Sequence, residues 1–294
     1  MTDATPAATE VDEHGSESVD LAGFVRRNPT VTLGSILLLA ILLVAVFAPL
    51  LASGDPQALN PIQRLRPPSA EHWFGTDMYG RDVFTRTIHG SRISLVVGSL
   101  VALISVGFGL VIGLVAGYLR VVDGIVMRVM DGLMAIPDIL LAIALMALFR
   151  ASVTNVVIAV TVPQVPRVVR LVRAVVLTIR ERPYIEAAQS IGTRFRRILT
   201  KHLLPNTIAP LIVQATYTGA AAVLTEAGLS FLGAGTPPNI PSWGNMMAEG
   251  RTYFQVAVWI LLFPGMFLAI TVLAVNLLGD GLRDALDPRL RRRL

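Results

Sequence analysis

The 294-residue chain contains no cysteine. That excludes thiolate zinc sites, iron–sulfur clusters, a disulfide framework and a cysteine nucleophile. Charge is scarce: Asp, Glu, Lys and Arg make up 15% of the residues, against about a quarter in an ordinary soluble domain. Lysine is almost missing, with Lys201 standing beside 24 arginines. Lys201 follows Leu199-Thr200 without the glycines that cradle phosphates. There is accordingly no G-x-x-x-x-G-K-[ST] loop, and the chain does not hydrolyse ATP by that route. Neither an H-E-x-x-H helix nor a G-x-S-x-G elbow occurs. The four histidines (His14, His72, His89, His202) are scattered. Glu71, His72, Asp77, Asp82 and His89 share one loop, but their spacing is no metal-ligand pattern, and no metal site is expected.

Apolar residues fill the space, at 53% of the chain and a mean hydropathy of +0.64. Apolar surplus with charge deficit points to a membrane protein and excludes disorder, a collagen-like fibre or a coiled coil as the main architecture. At roughly 20 apolar residues per span, there is room for about five to seven helices. A net charge of +5 would suggest nucleic acid in a soluble chain. In a membrane chain it asks which side the arginines occupy, and no nucleic-acid partner is expected.

Six apolar runs read as membrane helices: Val31 to Leu51, Ile93 to Tyr118, Leu133 to Phe149, Ser152 to Pro166, Thr207 to Leu224 and Gln255 to Leu278. The first is too long, and begins too far into the chain, for a signal peptide. Pro137 and Asp138 interrupt the third near its start, and Pro264 lies inside the sixth. The expected fold is thus an all-α integral membrane protein with six transmembrane helices. With the N-terminus inside, the cytoplasmic segments hold 18 of the 25 Lys and Arg residues. This favours both termini in the cytoplasm. The chain divides into a polar tail (1–29) carrying six acids, a first helix with its outer loop (30–91), a five-helix domain (92–279) and a C-terminal tail (280–294).

Arg167, Arg170 and Arg173 recur every third residue after the fourth run. Three arginines leading into a basic loop are read as a helix leaving the membrane, snorkelling into head groups, rather than as a voltage sensor. Asp138 and Glu226 sit at membrane depth or near its edge. Either belongs to a translocation path or gate, or caps a helix end at the interface; the cap is the preferred reading. Gly109, Gly113 and Gly117, four apart, make a smooth face for close helix packing.

The segment 180–206 holds the most information. Pro183 suits a first helical position, and Glu186 complements the helix dipole. Ala187 and Ala188 form helix with little bulk, so the element can enter a partner's cleft. Gly192 can end the helix in the left-handed conformation. Thr193 is expected to cap a second helix, on which Phe195, Ile198, Leu199, His202 and Leu203 form one apolar stripe. Arg194, Arg197 and Lys201 line its other side, and Pro205 is expected to stop it. On pattern alone this element either lies on membrane lipid or docks into a soluble partner.

Glu186-Ala187-Ala188, Gly192 and Leu204-Pro205 resemble the E-A-A-x3-G-x11-L-P signature of type-1 ABC importer permeases. His202 to Asn206 is similar to the form this signature takes in the dipeptide/oligopeptide/nickel branch. So are Gly75-Thr76-Asp77 with Gly80-Arg81-Asp82, Thr225-Glu226-Ala227 to Gly233, Pro241 to Met246, and Asn276 to Asp284 with Asp287-Pro288-Arg289. The resemblance covers about residues 20–291. It departs at Thr85, where serine is common, and at Thr193-Arg194, where Ala-Ser is common.

The resemblance implies the type-1 importer transmembrane fold and a C-type permease subunit in a bacterial inner membrane. It implies a homologous second permease subunit, two ATPase domains on the cytoplasmic side and an extracytoplasmic substrate-binding protein. ATP and Mg would bind those ATPases, and this chain would bind no cofactor and perform no catalysis itself. Glu186, Ala187, Ala188 and Gly192 would transmit ATPase motion, with Leu204 and Pro205 fixing the element to the fifth helix. The solute would be a dipeptide, an oligopeptide, a nickel chelate or another small solute. An exporter, a membrane-embedded enzyme and a channel are the alternatives.

Overall fold

The computed structural model describes residues 28–286. The acidic tail and the Asp287-Pro288-Arg289 block lie outside these residues, apart from the two final positions of the tail. The described residues are helical, with no strand beyond one isolated bridge between Thr76 and Asp82. In chain order the helices are α1 (Pro29–Val46), α2 (Ala48–Leu51), α3 (Val83–Tyr118), α4 (Arg120–Met134), α5 (Asp138–Leu148), α6 (Val153–Arg180), α7 (Pro183–Ser190), α8 (Phe195–Ile198), α9 (Leu204–Phe231), α10 (Trp243–Arg251) and α11 (Trp259–Leu286). A π-helical turn, Leu199–Leu203, joins α8 to α9.

Among the described residues, five segments are long and apolar enough to cross a membrane: α1, α3, α6, α8 through α9, and α11. The sixth candidate is a bent pair. The third run, expected as one helix from Leu133, is α4 and α5 meeting at 90°. Pro137 is the reason: it lacks an N–H and holds the preceding residue out of helical geometry. It becomes the N-cap position of α5, and its carbonyl accepts from Leu140 N and Leu141 N.

Other bounds also differ from expectation. The first run breaks at Phe47 into α1 and α2. Helix α3 starts ten residues before Ile93, because the Asp82 carboxylate accepts from Thr85 N at 2.7 Å and caps it. The boundary at residue 92 therefore falls inside α3. Helix α6 does not end at Pro166 but runs through Pro163 and Pro166 to Arg180. Helix α9 extends past Leu224, so Glu226 lies within it rather than at its end. Helix α11 continues through Asp280 and Arg283, beyond the expected boundary at residue 279.

Two apolar clusters organise the interior. One joins α3, α5, α6 and α9 through Val97, Val101, Ala142, Val156, Val160 and Ala222. The other joins α3, α6 and α9 to the loop through Val168, Val172, Val176, Ile185, Ile198 and Leu203. Helix α11 packs against α1 and α9.

The α3–α6 contact is the most extensive. A Cβ on Gly113 would meet Val172 at 2.7 Å, one on Gly117 would meet Val176 at 2.8 Å, and one on Gly109 would run into Val168 more closely still. Each separation is below what two carbon atoms tolerate, so only glycine permits this approach. The three glycines lie four residues apart on one helix, and the three valines lie four apart on the other.

Candidate coupling loop and buried polar sites

Helix α7 leaves the end of α6 after a two-residue turn at Glu181 and Arg182. Pro183 occupies its first turn, and Glu186 is its first-turn acid. Ile185 and Ala188 are buried, whereas Glu186, Ala187, Gln189 and Ser190 face outward. The helix ends in a Schellman motif: Gly192 N donates to Gln189 O at 2.9 Å, and Thr193 N to Ala188 O at 3.0 Å. Gly192 sits at φ +75° with open space around it. Its requirement for glycine is conformational rather than steric.

The second half of the loop departs from expectation in two ways. Arg194, not Thr193, holds the position before α8, and its side chain makes no cap. Pro205 does not stop the helix. It lies in the first turn of α9, and the segment from Phe195 runs without a break into the membrane span. The π turn accommodates it, with Leu204 N–H donating five residues back to Leu199 O.

Ile198 and Leu203 of the apolar stripe are buried in the cluster beneath the loop, while Arg194, Arg197 and Lys201 are exposed. Ile198 and Leu203 therefore face protein. Three further contacts pin the loop to the end of α3. Arg180 donates to Gly117 O at 3.1 Å, Gln189 Nε2 reaches the Tyr118 hydroxyl at 3.2 Å, and Phe195 packs on the Tyr118 ring at 5.1 Å. One face of α7 remains exposed, beside Ile191 and the basic side of α8.

Three of the four arginines of α6 are not free to snorkel. Arg167 pairs with Asp138 at 2.7 Å, Arg170 with Asp131 at 2.5 Å, and Arg173 with Asp123. The acids come from α4 and the start of α5, so the ladder ties the bent pair to α6. Pattern reading missed this because the partners are 29 to 50 residues away along the chain.

Glu226 is fully buried. Its carboxylate accepts from Ser230 Oγ at 2.8 Å and Ser94 Oγ at 3.3 Å. Ser230 continues to Thr236, and Thr236 to Ser242 and Asn245. The Asn245 amide also donates to Pro237 O and Ile240 O. This network fixes the turn after α9 and the start of α10, where Trp243 donates to Thr87 O of α3. Glu226 is thus an internal tie and not an interfacial cap.

Near the start of α3, Asp77 and Glu249 bracket two guanidinium groups. Asp77 accepts from Arg81 at 2.6 Å and Arg86 at 3.0 Å, and Glu249 of α10 accepts from the same arginines at 2.7 and 3.3 Å. Burial pushes the Glu249 carboxyl up to about 7, against the pull of Arg81. His72 is engaged by Asp82 and Gln63. No group of three metal-ligating side chains occurs among the described residues.

Residues 109–292 match the family described as binding-protein-dependent transport system inner membrane component. The chain belongs to this family. Residues 25–68 match the N-terminal transmembrane domain of oligopeptide transport permease C. A probable peptide ABC transporter permease of Sinorhizobium fredii is 55% identical over 91% of this chain and 92% of its own length. The dipeptide transport system permease protein DppC of Alkalihalophilus pseudofirmus is 45% identical, and the oligopeptide permease OppC of Bacillus subtilis is 39% identical. Each of these matches spans 91% of this chain and 88% of the relative. In fold, this family member is similar to a chain of the MetNI methionine ABC transporter in an inward-facing form. The TM-score is 0.51 at 23% identity, over 69% of this chain and 96% of that one. The family that the loop signature resembles is the family to which the chain belongs.

Proposed function

We propose that the chain is the C-type permease subunit of a binding-protein-dependent importer for di- or oligopeptides, and that α7 is its docking point for an ATPase. The observation that carries this is the exposed face of α7. A short helix that turns Glu186, Ala187, Gln189 and Ser190 outward, locked at its base by Ile185, Ile198 and Leu203, stands directly on the end of a 28-residue membrane helix. Such an element transmits force rather than binding a small molecule. The peptide relatives, at 39–55% identity over most of the chain, support the substrate class.

In this reading both termini are cytoplasmic in a bacterial inner membrane. A second, homologous permease completes the path, two ATPase domains hold ATP and Mg, and a binding protein outside delivers the peptide. ATP binding closes the ATPase dimer and draws the two docking helices together. Helix α6 moves with α7, the bundles rock, and the path opens outward; hydrolysis resets it. Glu186, Ala187, Ala188 and Gly192 form the transmitting element, and Leu204 with Pro205 anchors it to α9. Asp138 lies on the path. Glu226 ties α10 to α3 and α9 and acts as part of the outer gate.

The test is reconstitution of the co-purified complex into liposomes with its binding protein. ATP-dependent accumulation of a dipeptide supports the reading. A chain that purifies alone, with solute flux indifferent to ATP, contradicts it.

A further inference from the structure

Arg167 and Asp138 hold an unusual place. Val176 stands opposite Gly117 at the cytoplasmic end of α3. Arg167 lies nine residues earlier on α6, roughly 14 Å along the axis at 1.5 Å per residue. In the other direction it lies 14 residues, about 21 Å, from Val153 at the start of α6. Both distances place it inside a hydrocarbon layer about 30 Å thick. Arg173 and Arg170, nearer the end of α3, stand within reach of the head groups; Arg167 does not.

Yet the Arg167 side chain is 45% exposed and that of Asp138 is 27% exposed. A half-exposed ion pair at this depth does not face lipid; it faces the path or the second permease subunit that completes it. The pair is held through a contact of 2.7 Å between Arg167 Nη2 and Asp138 Oδ2. Gln164, buried beside them, donates to the same oxygen at 3.3 Å. The other carboxylate oxygen, Oδ1, accepts no hydrogen bond from the described residues.

The two charges sit on different helices that this pair joins. Arg167 is on α6, which leads directly into α7. Asp138 begins α5, beyond the 90° bend at Pro137. Opening the pair therefore requires a shift of α5 against α6.

We propose that Arg167 and Asp138 form a transit site for the free ends of a zwitterionic peptide, which determines what passes through this half of the path. The proposal rests on the importer reading given above. Arg167 offers a planar fork to the peptide carboxylate, and Asp138 receives the terminal ammonium. With no peptide present the two close on each other, which avoids leaving either charge bare. Gln164 holds the Asp138 carboxylate in place throughout.

The test uses the whole complex in proteoliposomes with its binding protein, and reads Ala-Ala uptake per ATP hydrolysed. Asp138→Asn with Arg167→Gln removes both charges together and is expected to lower that ratio at least tenfold. Asp123→Asn with Arg173→Gln removes the ladder pair nearest the cytoplasm and is expected to leave the ratio within twofold. A merely structural role at Arg167 would lower hydrolysis and uptake together and leave the ratio unchanged, which would overturn the proposal. If the double variant does not assemble, Arg167→Lys replaces it. That variant keeps the charge but loses the fork, so a several-fold drop in the ratio supports the site and an unchanged ratio overturns it. A wild-type complex that takes up no dipeptide with ATP would overturn the importer reading, and this proposal with it.

Discussion

Gly113 of α3 lies so close to Val172 of α6 that a Cβ at Gly113 would sit 2.7 Å from the valine Cβ and 2.9 Å from the Val169 carbonyl. Both obstacles are rigid, since one is a β-branched atom and the other is backbone. The contact continues through Gly109 and Gly117, so it keeps α3 and α6 together from mid-membrane to the loop. In the proposed coupling, motion of α7 would pass up α6, and α3 is the surface against which α6 is registered.

Gly113→Leu is therefore expected to lower the thermal stability of the purified chain by at least the usual overpacking cost, about 1–3 kcal/mol. Gly107 serves as the control, because a Cβ added there would meet nothing within 4 Å. Gly107→Ala is expected to be neutral or stabilising by up to about 1 kcal/mol, because glycine inside a helix is unfavourable. Thermal unfolding in detergent, followed by fluorescence size exclusion, distinguishes the two.

Gly192→Val places a β-branched residue at φ +75°, at a cost of about 1–3 kcal/mol confined to the tip of the loop. Nothing surrounds this position, so the membrane helices should insert and pack as before. Solute-stimulated ATP hydrolysis in the complex is expected to be lost. Undiminished stimulation would show that the turn plays no part in transmission.

Glu226→Ala would remove the carboxylate that accepts from Ser94 and Ser230 in a buried site. Loss of stability of about 1–3 kcal/mol is expected for leaving buried polar groups unmatched. Glu226→Gln keeps an acceptor oxygen and is expected to lose less. Limited proteolysis near residues 232–242 checks the mechanism, because release of the Ser230–Thr236–Ser242 chain should expose that turn first in the alanine variant.

Glu249 gives a pH dependence with a definite sign. Its ordinary value is 4.5, and burial raises it to about 7 in the folded chain. The folded state thus binds more protons than the unfolded state between those values. The contribution to stability is complete below about 4.5 and is lost as pH rises through about 7, with an upper size of about 3 kcal/mol. Glu249→Gln is expected to flatten the stability profile across that window. A profile in which stability rises with pH there, and which the variant leaves unaltered, would contradict the assignment.

Much of the architecture was legible because bilayer thickness and backbone satisfaction leave few options for an apolar run. The loop was legible for a similar reason: Pro183, the alanines and Gly192 each have a local conformational meaning. Helix ends were less legible. The Asp82 cap extends α3 through Arg86, His89 and Arg92, and a hydropathy reading stops at the first charge. Pro205 resembled a terminator because the π turn that absorbs it has no sequence signature. The roles of Arg170, Arg173 and Glu226 depended on partners far along the chain, at Asp131, Asp123 and Ser94. Periodicity within a window carries no information on such pairs.

The central claim is that α7 seats in an ATPase. Because the chain has no cysteine, Ala187→Cys on the exposed face of α7 creates a single reactive thiol. Cross-linking this variant in its native membrane, with the products identified by mass spectrometry, reads the contact directly. The account predicts one dominant product with a P-loop ATPase, formed with an efficiency that changes when ATP is added. Products confined to lipid or to other copies of this chain, indifferent to nucleotide, would contradict it.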